Sequence, residues 1–331
     1  MDREERINDF LKDFFGKYYD DNKILFDNLK NIYSLISFLN NNLKRLEIDE
    51  PDFRKTTKAT FIERKKLIDD FYKSISVSFS FEDIIKNGTL EIMKTNMLCE
   101  AGNFELTYGN NCYEKGHKVI NVYNNGLITD SIIWIHEISH YRNQPDKKRG
   151  QVNDLLTELL AFTEEFIYVD YLEEQGYKKE SYAFKVSEYK NLCYFLEVAY
   201  YSVRIYLLYF LLGEVSEENY KTLYGEVDSY DTSIDVFENL RKKDQDGIFI
   251  TLYYSIGIMA IYNYQRYKED NGYMENLNKL NTIINTDVSL EDALKIMDIK
   301  LDMDSLNKIL NSINSFRSTL INEERKIILK R

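Results

Sequence analysis

Proline and glycine are scarce in this sequence. Its 331 residues include only 2 Pro and 13 Gly. Because these two residues are the strongest local breakers of regular structure, their scarcity favours long, uninterrupted helices. Pro51 suits the first turn of a helix, whereas Pro145 is placed to end one. The composition therefore predicts a mainly α fold.

Cysteine and histidine are also rare. Cys99, Cys112 and Cys193 are widely spaced and form no C-x-x-C pair, so neither a disulfide framework nor a cysteine-based zinc site is expected. We interpret them as free thiols in a reducing compartment. Only three histidines occur, and two of them, His136 and His140, stand four residues apart.

Basic residues are fewer than acidic residues in this sequence. Lys and Arg number 43 against 55 Asp and Glu, for a net charge of −12. Binding to a nucleic-acid backbone needs a basic surface, so we expect no nucleic-acid partner. The most apolar run, 198–213, contains Arg204 and is shorter than the roughly 20 residues of a membrane span. The charged N-terminus, MDREERINDF, lacks an apolar signal segment. We therefore expect a cytoplasmic protein without a membrane partner.

Apolar residues recur at helical spacing over most of the chain. Two short β-prone segments, 104–109 and 118–123, interrupt this pattern. We predict an N-terminal helical part at 1–79 and a catalytic part at 80–331. The helical pattern begins with an apolar stripe over 7–18. It predicts further helices over 24–46, 53–75, 81–97 with an interruption at Asn87-Gly88, 151–174, 180–213, 215–227, 247–270, 289–298 and 303–329.

The segment IIWIHEISHY contains an H-E-x-x-H pattern, and Asp130 stands where the helix around it would begin. Residues four apart on a helix share a face, so His136 and His140 would present two imidazoles to one metal ion. Glu137 would reach a water on that metal and act as general base. The pattern predicts a Zn²⁺ site for hydrolysis. The alternative is a pair of hydrogen-bonded core histidines.

A catalytic zinc needs a third protein ligand, and no further histidine follows in the sequence. The acids of NDLLTELLAFTEEF are the candidates: Asp154, Glu158, Glu164 and Glu165. We choose Glu158, because 17 residues separate it from the second histidine, enough for a loop and an antiparallel return helix. Glu165 lies two turns further along the same face and is expected to hydrogen-bond a zinc histidine. Glu164 is predicted to lie on a solvated helix face.

The metal motif stands among segments that together resemble a known family. KVINVYNNGLITDSIIWIHEISH is followed by LLTELLAFTEEFIYVDYLEEQGY, by IFITLYYSIGIMAIYNY and by VSLEDALKIMDIKLDMDSLNKIL. These segments resemble the zinc oligopeptidases of the thimet oligopeptidase and oligoendopeptidase F family, and above all the oligoendopeptidase F branch. Gly126, Asp130, Glu158 and Glu165 fall at positions that match the family. The resemblance covers about residues 80–331.

The resemblance implies a fold and a set of roles. The fold would be a long-helix, zincin-like metallopeptidase, mainly α, with a small β element beside the active-site helix. Zn²⁺ would be held by His136, His140 and Glu158. A tyrosine of the Tyr-rich segment would help to stabilise the oxyanion, and Tyr254 is the best match. Its neighbour Tyr253 is the next candidate.

The chain departs from the family at several points, and these departures motivate a second hypothesis. The loop before the ligand helix is shorter, and Ser139 replaces a glycine. A histidine that usually precedes the Tyr-rich segment is absent, with Asp244 near its place. The N-terminal lobe is reduced to roughly three helices. The second hypothesis is therefore a non-catalytic or weakly active zincin-fold protein that binds peptides.

Peptides are the expected substrates or ligands under both hypotheses. Strand 118–123, with His117 at its start, is predicted to be an edge strand beside the metal. An extended peptide adds to such an edge through main-chain hydrogen bonds. A reduced lobe would leave the cleft open, unless the chain forms a homo-oligomer in which a partner subunit completes the wall.

Overall fold

The computed structural model describes most of the chain, and its helices and strands are numbered here in chain order. The described residues are 3–49, 57–87, 90–93, 110–114, 117–143, 154–212, 216–224, 249, 252–270, 272–284 and 289–328. The predicted strand 104–109 and Asp244 lie outside them.

The N-terminal region forms four helices rather than the two expected up to residue 46. These are α1 (Arg3–Phe15), α2 (Lys17–Asp21), α3 (Lys23–Asp27) and α4 (Leu29–Asn42). Gly16, Asn22 and Asn28 separate them with non-helical backbone angles. The helices still bury their apolar stripes, and α4 packs on the long helix α9 described below.

Helix α5 (Phe61–Ser74) begins eight residues later than the helix predicted over 53–75. Thr60 and Glu63 form a capping box, which fixes this start locally. Residues 57–59 are extended instead. Ala59 N–H donates to the Gly126 carbonyl over 2.9 Å, and Ile128 N–H donates to the Thr57 carbonyl over 2.9 Å. A short helix, α6 (Phe81–Lys86), follows.

Three strands form one small sheet within the described residues. They are β1 (Leu90–Met93), β2 (Asn110–Glu114) and β3 (His117–Tyr123), in the order β1-β3-β2. The predicted strand 118–123 is confirmed as β3. The helix predicted over 81–97 is wrong at β1, which pairs with β3 in parallel. The prediction that 118–123 forms an edge is also wrong, since β3 lies between β1 and β2.

The remaining described elements are helices, so the predicted mainly α class with a small β element is confirmed. These helices are α7 (Asp130–Asn143), α8 (Asp154–Glu174), α9 (Lys178–Leu212), α10 (Glu217–Tyr224), α11 (Met259–Glu269), α12 (Tyr273–Ile283), α13 (Leu290–Ile296) and α14 (Met303–Ile328). α12 has no counterpart among the predicted helices. Within the helix predicted over 247–270, residues 249, 252 and 253 are helical, but a turn at 254–258 interrupts it before α11.

Helix α8 is the centre of the core. It packs against α7, α9 and α11, and every residue from 155 to 169 is buried. A helix that is buried all round usually carries few charges, because a buried charge needs a partner. The acids of α8 are therefore expected to meet specific partners. Among the described residues, no helix has both the length and the apolar character that a membrane crossing requires.

Candidate metal centre

A buried ion pair fixes the start of α7. Asp130 pairs with Arg64 of α5 and accepts backbone N–H groups from Asn125 over 2.9 Å and Leu127 over 3.1 Å. The Arg64 guanidinium also lies 4.6 Å from the centre of the Trp134 ring. The turn before the helix contains Gly126 at φ 76°, a left-handed conformation that glycine adopts at little cost. The turn and α5 together hold α7 in place beside β3.

His136 and His140 project from one face of α7, one turn apart. Their Nε2 atoms lie 3.0 Å from each other. Glu158 of α8 meets both rings: its Oε2 lies 3.3 Å from His136 Nε2, and its Oε1 lies 3.3 Å from His140 Nε2. The three residues are the one group of potential metal ligands found among the described residues. The structure thus brings together the three predicted zinc ligands.

The donor set fits a zinc ion. Ligand atoms about 2.0–2.1 Å from a tetrahedral zinc stand about 3.3 Å from one another, close to the separations here. Within the described part of the chain, Glu158 Oε2 is buried, and its close polar contact is His136 Nε2 at 3.3 Å. Two imidazole nitrogens that face each other at 3.0 Å cannot both carry a proton without repulsion. A cation between the two Nε2 atoms and the Glu158 carboxylate would remove this repulsion and give all three residues a common partner.

Glu165 lies behind the first histidine. Its Oε1 is 3.1 Å from His136 Nδ1, and its side chain is 3% exposed. A proton on Nδ1 that is donated to this carboxylate leaves Nε2 with its lone pair facing Glu158. Glu165 therefore contacts the ring nitrogen of His136 that faces away from Glu158, so the predicted hydrogen-bond partnership with this histidine is geometrically possible.

Glu137 is buried beside the two histidines. Burial raises the pKa of its carboxyl group, and the charges of His136 and His140 oppose that rise. The neighbouring Glu158 behaves differently: burial would raise its pKa, but the charge of His140 and hydrogen bonds from both imidazoles lower it to about 2. The two neighbouring glutamates thus differ, since the pKa of Glu137 is raised and that of Glu158 is lowered.

Tyr254 lies in the turn that precedes α11. Its ring centre is 5.9 Å from that of Phe162, which in turn lies 5.1 Å from the His136 ring. Burial raises the pKa of Tyr254 well above its usual value, and the charge of Glu158 raises it further. The Tyr253 ring packs on Tyr254 at 4.3 Å. Both tyrosines thus lie close enough to the site for its charges to act on them.

The turn at 254–258 interrupts the helix that the sequence predicted there. Its N–H groups bond to carbonyls three residues back, as from Gly257 to Tyr254 over 3.0 Å. A Cβ on Gly257 would lie 3.0 Å from the Leu192 side chain and 3.3 Å from the Phe162 side chain. Only glycine therefore lets this turn approach α8 and α9 without displacing a neighbour.

The prediction that Glu164 lies on a solvated face is wrong. Its carboxylate is buried, 2.7 Å from Arg142 Nη1, and it accepts the Tyr72 hydroxyl over 3.1 Å. Helix α5 covers the face of α8 that local periodicity left open to solvent. Asp154, another candidate ligand, starts α8 instead, and its backbone N–H donates to Asn22 Oδ1 over 3.0 Å.

Two further residues were not expected at the site. Arg142 anchors the end of α7 to Glu164, and no local pattern pointed to this pair. Glu188 of α9 is buried, and burial together with the charge of Glu165 raises its pKa to about 8. The sequence offered no distinct signal for Glu188, because α9 carries other glutamates, Glu180 and Glu197 among them. Cys193, one of the predicted free thiols, is buried and unbonded to another cysteine, and burial raises its pKa to about 11.

No protein-family model matches the sequence, and no curated protein sequence does either. Solved structures do match. A protein from Bacillus anthracis str. Ames, described as an oligoendopeptidase F, superposes with a TM-score of 0.59 at 13% sequence identity. The match covers 88% of this chain and 56% of that one. A second structure described as an oligoendopeptidase F superposes with a TM-score of 0.53 at 12% sequence identity. That match covers 87% of this chain and 56% of the other.

PZ peptidase A, solved with an inhibitor, gives a TM-score of 0.53 at 10% identity, over 94% of this chain and 58% of that one. The chain thus spans a little over half the length of each of these proteins. Identities this low establish the fold alone, which confirms the predicted long-helix, zincin-like architecture. The chain therefore shares the mainly helical fold of oligoendopeptidase F and PZ peptidase A.

Proposed function

We propose that this protein is a zinc-dependent peptidase that hydrolyses peptide bonds in oligopeptides. The observation that carries the proposal is the convergence of His136, His140 and Glu158 at separations close to those around a tetrahedral zinc. The likeness in fold to oligoendopeptidase F and PZ peptidase A supports the same reaction class. The catalytic machinery belongs to residues 80–331, and 1–79 form a reduced N-terminal part.

His136, His140 and Glu158 would hold the zinc. When bound, the ion supplies a Lewis acid for the scissile carbonyl and lowers the pKa of a water beside it. Glu165 keeps the His136 ring in the tautomer that leaves Nε2 free to ligate. The carboxylate of Glu158 would supply the negative charge among the three ligands, beside two neutral imidazoles.

Glu137 is the general base. Its carboxylate takes a proton from the water that attacks the scissile carbonyl carbon, and it later gives that proton to the leaving nitrogen. One water is thereby added across the peptide bond. Burial raises the pKa of Glu137 towards the range in which a carboxylate both accepts and returns a proton efficiently.

Tyr254 is the oxyanion donor. Its raised pKa keeps the hydroxyl protonated near neutral pH, so that it can donate a hydrogen bond to the developing negative oxygen. Tyr253 packs directly on it and is the alternative donor. Tyr253 and Tyr254 lie just before Gly257 in the chain. The tight packing of Gly257 against α8 and α9 fixes the position of both rings.

The substrate is an extended peptide. Within the described residues, β1 and β2 form the edges of the sheet, and β2 packs against α7 together with β3. We therefore assign peptide addition to the β2 edge rather than to the central strand β3, with main-chain hydrogen bonds that are independent of sequence.

The proposal is tested with zinc-loaded protein, a quenched fluorescent peptide library and the variant Glu137→Gln. The variant should keep the metal, since Glu137 is not a ligand, and lose at least about 10²-fold in kcat. An exposed acid on α12, Glu275, gives the matched control Glu275→Gln with unchanged turnover. Equal rates for Glu137→Gln and the wild type would contradict the mechanism. Tight peptide binding without products would instead favour the peptide-binding hypothesis.

A further inference from the structure

A polar triad, with two buried members and the partly exposed Arg142, joins three helices close to the metal centre. Arg142 belongs to α7, Glu164 to α8 and Tyr72 to α5. Arg142 Nη1 lies 2.7 Å from one carboxylate oxygen of Glu164, and the Tyr72 hydroxyl donates to the other over 3.1 Å. The Arg142 guanidinium also lies 4.9 Å from the centre of the Tyr72 ring. Each member of the triad therefore contacts both others.

The triad lies at the interface that must stay in register for a metal to bind. Two ligands come from α7 and one from α8, so sliding of these helices by one residue, about 1.5 Å, would separate the donors. Metal sites tolerate ligand distances only within about 0.2 Å. A fixed register between α7 and α8 is thus a condition for the site.

Polar contacts fix this register on both sides of the histidines. On one side along α7, the Tyr168 hydroxyl donates to Ser131 Oγ over 2.8 Å. On the other side, Arg142 holds Glu164. Both contacts join α7 to α8, the first fully buried and the second partly buried, and such hydrogen bonds are costly to leave unmade. The histidines lie between them.

We propose that Arg142, Glu164 and Tyr72 are positioning residues, which set the register of α8 against α7 and so hold Glu158 at the two histidines. The inference rests on the metal centre of the proposed function. It assigns a part of that centre to α5, which lies in the N-terminal part of the chain. Residues 1–79 thereby contribute to metal affinity and not only to the shape of the cleft.

The test measures binding of Co²⁺, which replaces zinc in such N and O donor sets and reports ligand geometry through its visible d–d absorption. Glu164→Gln should bind Co²⁺ about 10-fold more weakly and with altered band intensities. Tyr72→Phe, a milder change that keeps the ion pair, should weaken binding about 3-fold. Near-UV circular dichroism of each variant confirms that the compared samples are folded.

The matched control is Asp170→Asn, on the same helix α8. Asp170 is held by Lys185 over 2.7 Å and by the Tyr264 hydroxyl over 2.7 Å, and neither partner belongs to the triad. This variant should lower stability yet leave Co²⁺ affinity and the spectrum unchanged. Unchanged affinity and spectrum in both Glu164→Gln and Tyr72→Phe would overturn the triad's role alone. A wild-type chain that binds no Co²⁺ would overturn the metal centre, and the triad's role with it.

Discussion

Glu158 Oε1 and His140 Nε2 lie 3.3 Å apart, although the two residues come from different helices and stand 18 positions apart in the sequence. The contact joins α7 to α8, and α8 is buried from residue 155 to residue 169. A carboxylate in such a helix is stable only with a specific partner. The two histidines are thus the partners that Glu158 needs in order to be buried.

Removal of that carboxylate should abolish tight metal binding. In Glu158→Gln the amide keeps the shape of the side chain but loses the charge and the strong oxygen donor. We expect the zinc dissociation constant to rise by more than the 10–100-fold typical of changes outside the ligand set. Competition with a fluorescent chelator measures it. Retention of wild-type affinity by Glu158→Gln would assign the third ligand to another residue.

Glu165→Gln should have a smaller effect of the same sign. The His136 ring loses a charged hydrogen-bond acceptor at 3.1 Å, so its orientation and basicity both change. We expect about 10–100-fold weaker zinc binding in the same competition assay. Glu173→Gln, further along α8, is the control and should bind zinc like the wild type. If both variants match the wild type, Glu165 does not support the metal centre.

Tyr254→Phe should lower kcat and leave KM nearly unchanged. The hydroxyl acts on charge that develops only in the transition state, and loss of one such donor costs about 10²–10³-fold. Steady-state kinetics on a single fluorogenic peptide separate the two constants. Tyr253→Phe is the paired variant, since its ring lies 4.3 Å from Tyr254. A loss of kcat in Tyr253→Phe instead would transfer the oxyanion role to that residue.

Stability should depend on pH through Asp170. Burial would raise its pKa, but Lys185 and Lys268 lower it below the usual 3.8. Because the folded pKa is depressed, the ionised group stabilises the fold fully above the unfolded pKa. That stabilisation disappears as pH falls through the lower, folded value.

Asp170→Asn should therefore lower the free energy of unfolding by about 1–3 kcal/mol at pH 7, because Lys185 and the Tyr264 hydroxyl lose a charged partner. The difference from the wild type should begin to shrink near pH 4, where Asp170 of the unfolded chain takes up a proton, and should disappear below the lower pKa of the folded state. Urea denaturation at a series of pH values measures both. A difference that stays constant down to pH 3 would show that the charge of Asp170 does not act through these lysines.

The parts of the site that follow from local spacing were accessible from the sequence. His136 and His140 share a face because they are four apart on a helix, and Glu158 and Glu165 do so because they are seven apart. The long helices α8, α9 and α14 also followed from periodicity. These features depend on one element at a time, which is the information a sequence pattern carries.

Features that depend on contacts between distant segments were not accessible. Glu164 does not lie on the face of α8 that carries Glu158 and Glu165. Only the packing of α5 and α7 against α8 shows that Tyr72 and Arg142 cover its carboxylate. The run Leu90–Met93 has no helix-excluding residue, and its pairing with β3 across about 30 positions makes it a strand. That same pairing turned the predicted edge strand 118–123 into the central one.

The most direct measurement is zinc stoichiometry combined with zinc-edge X-ray absorption on the full chain. The account predicts one zinc per chain, with two imidazole nitrogens and a carboxylate oxygen at about 2.0–2.2 Å. The double substitution His136→Ala with His140→Ala should reduce the stoichiometry to zero. Absence of bound zinc from the metal-saturated wild type, or a sulfur atom among its ligands, would contradict the account.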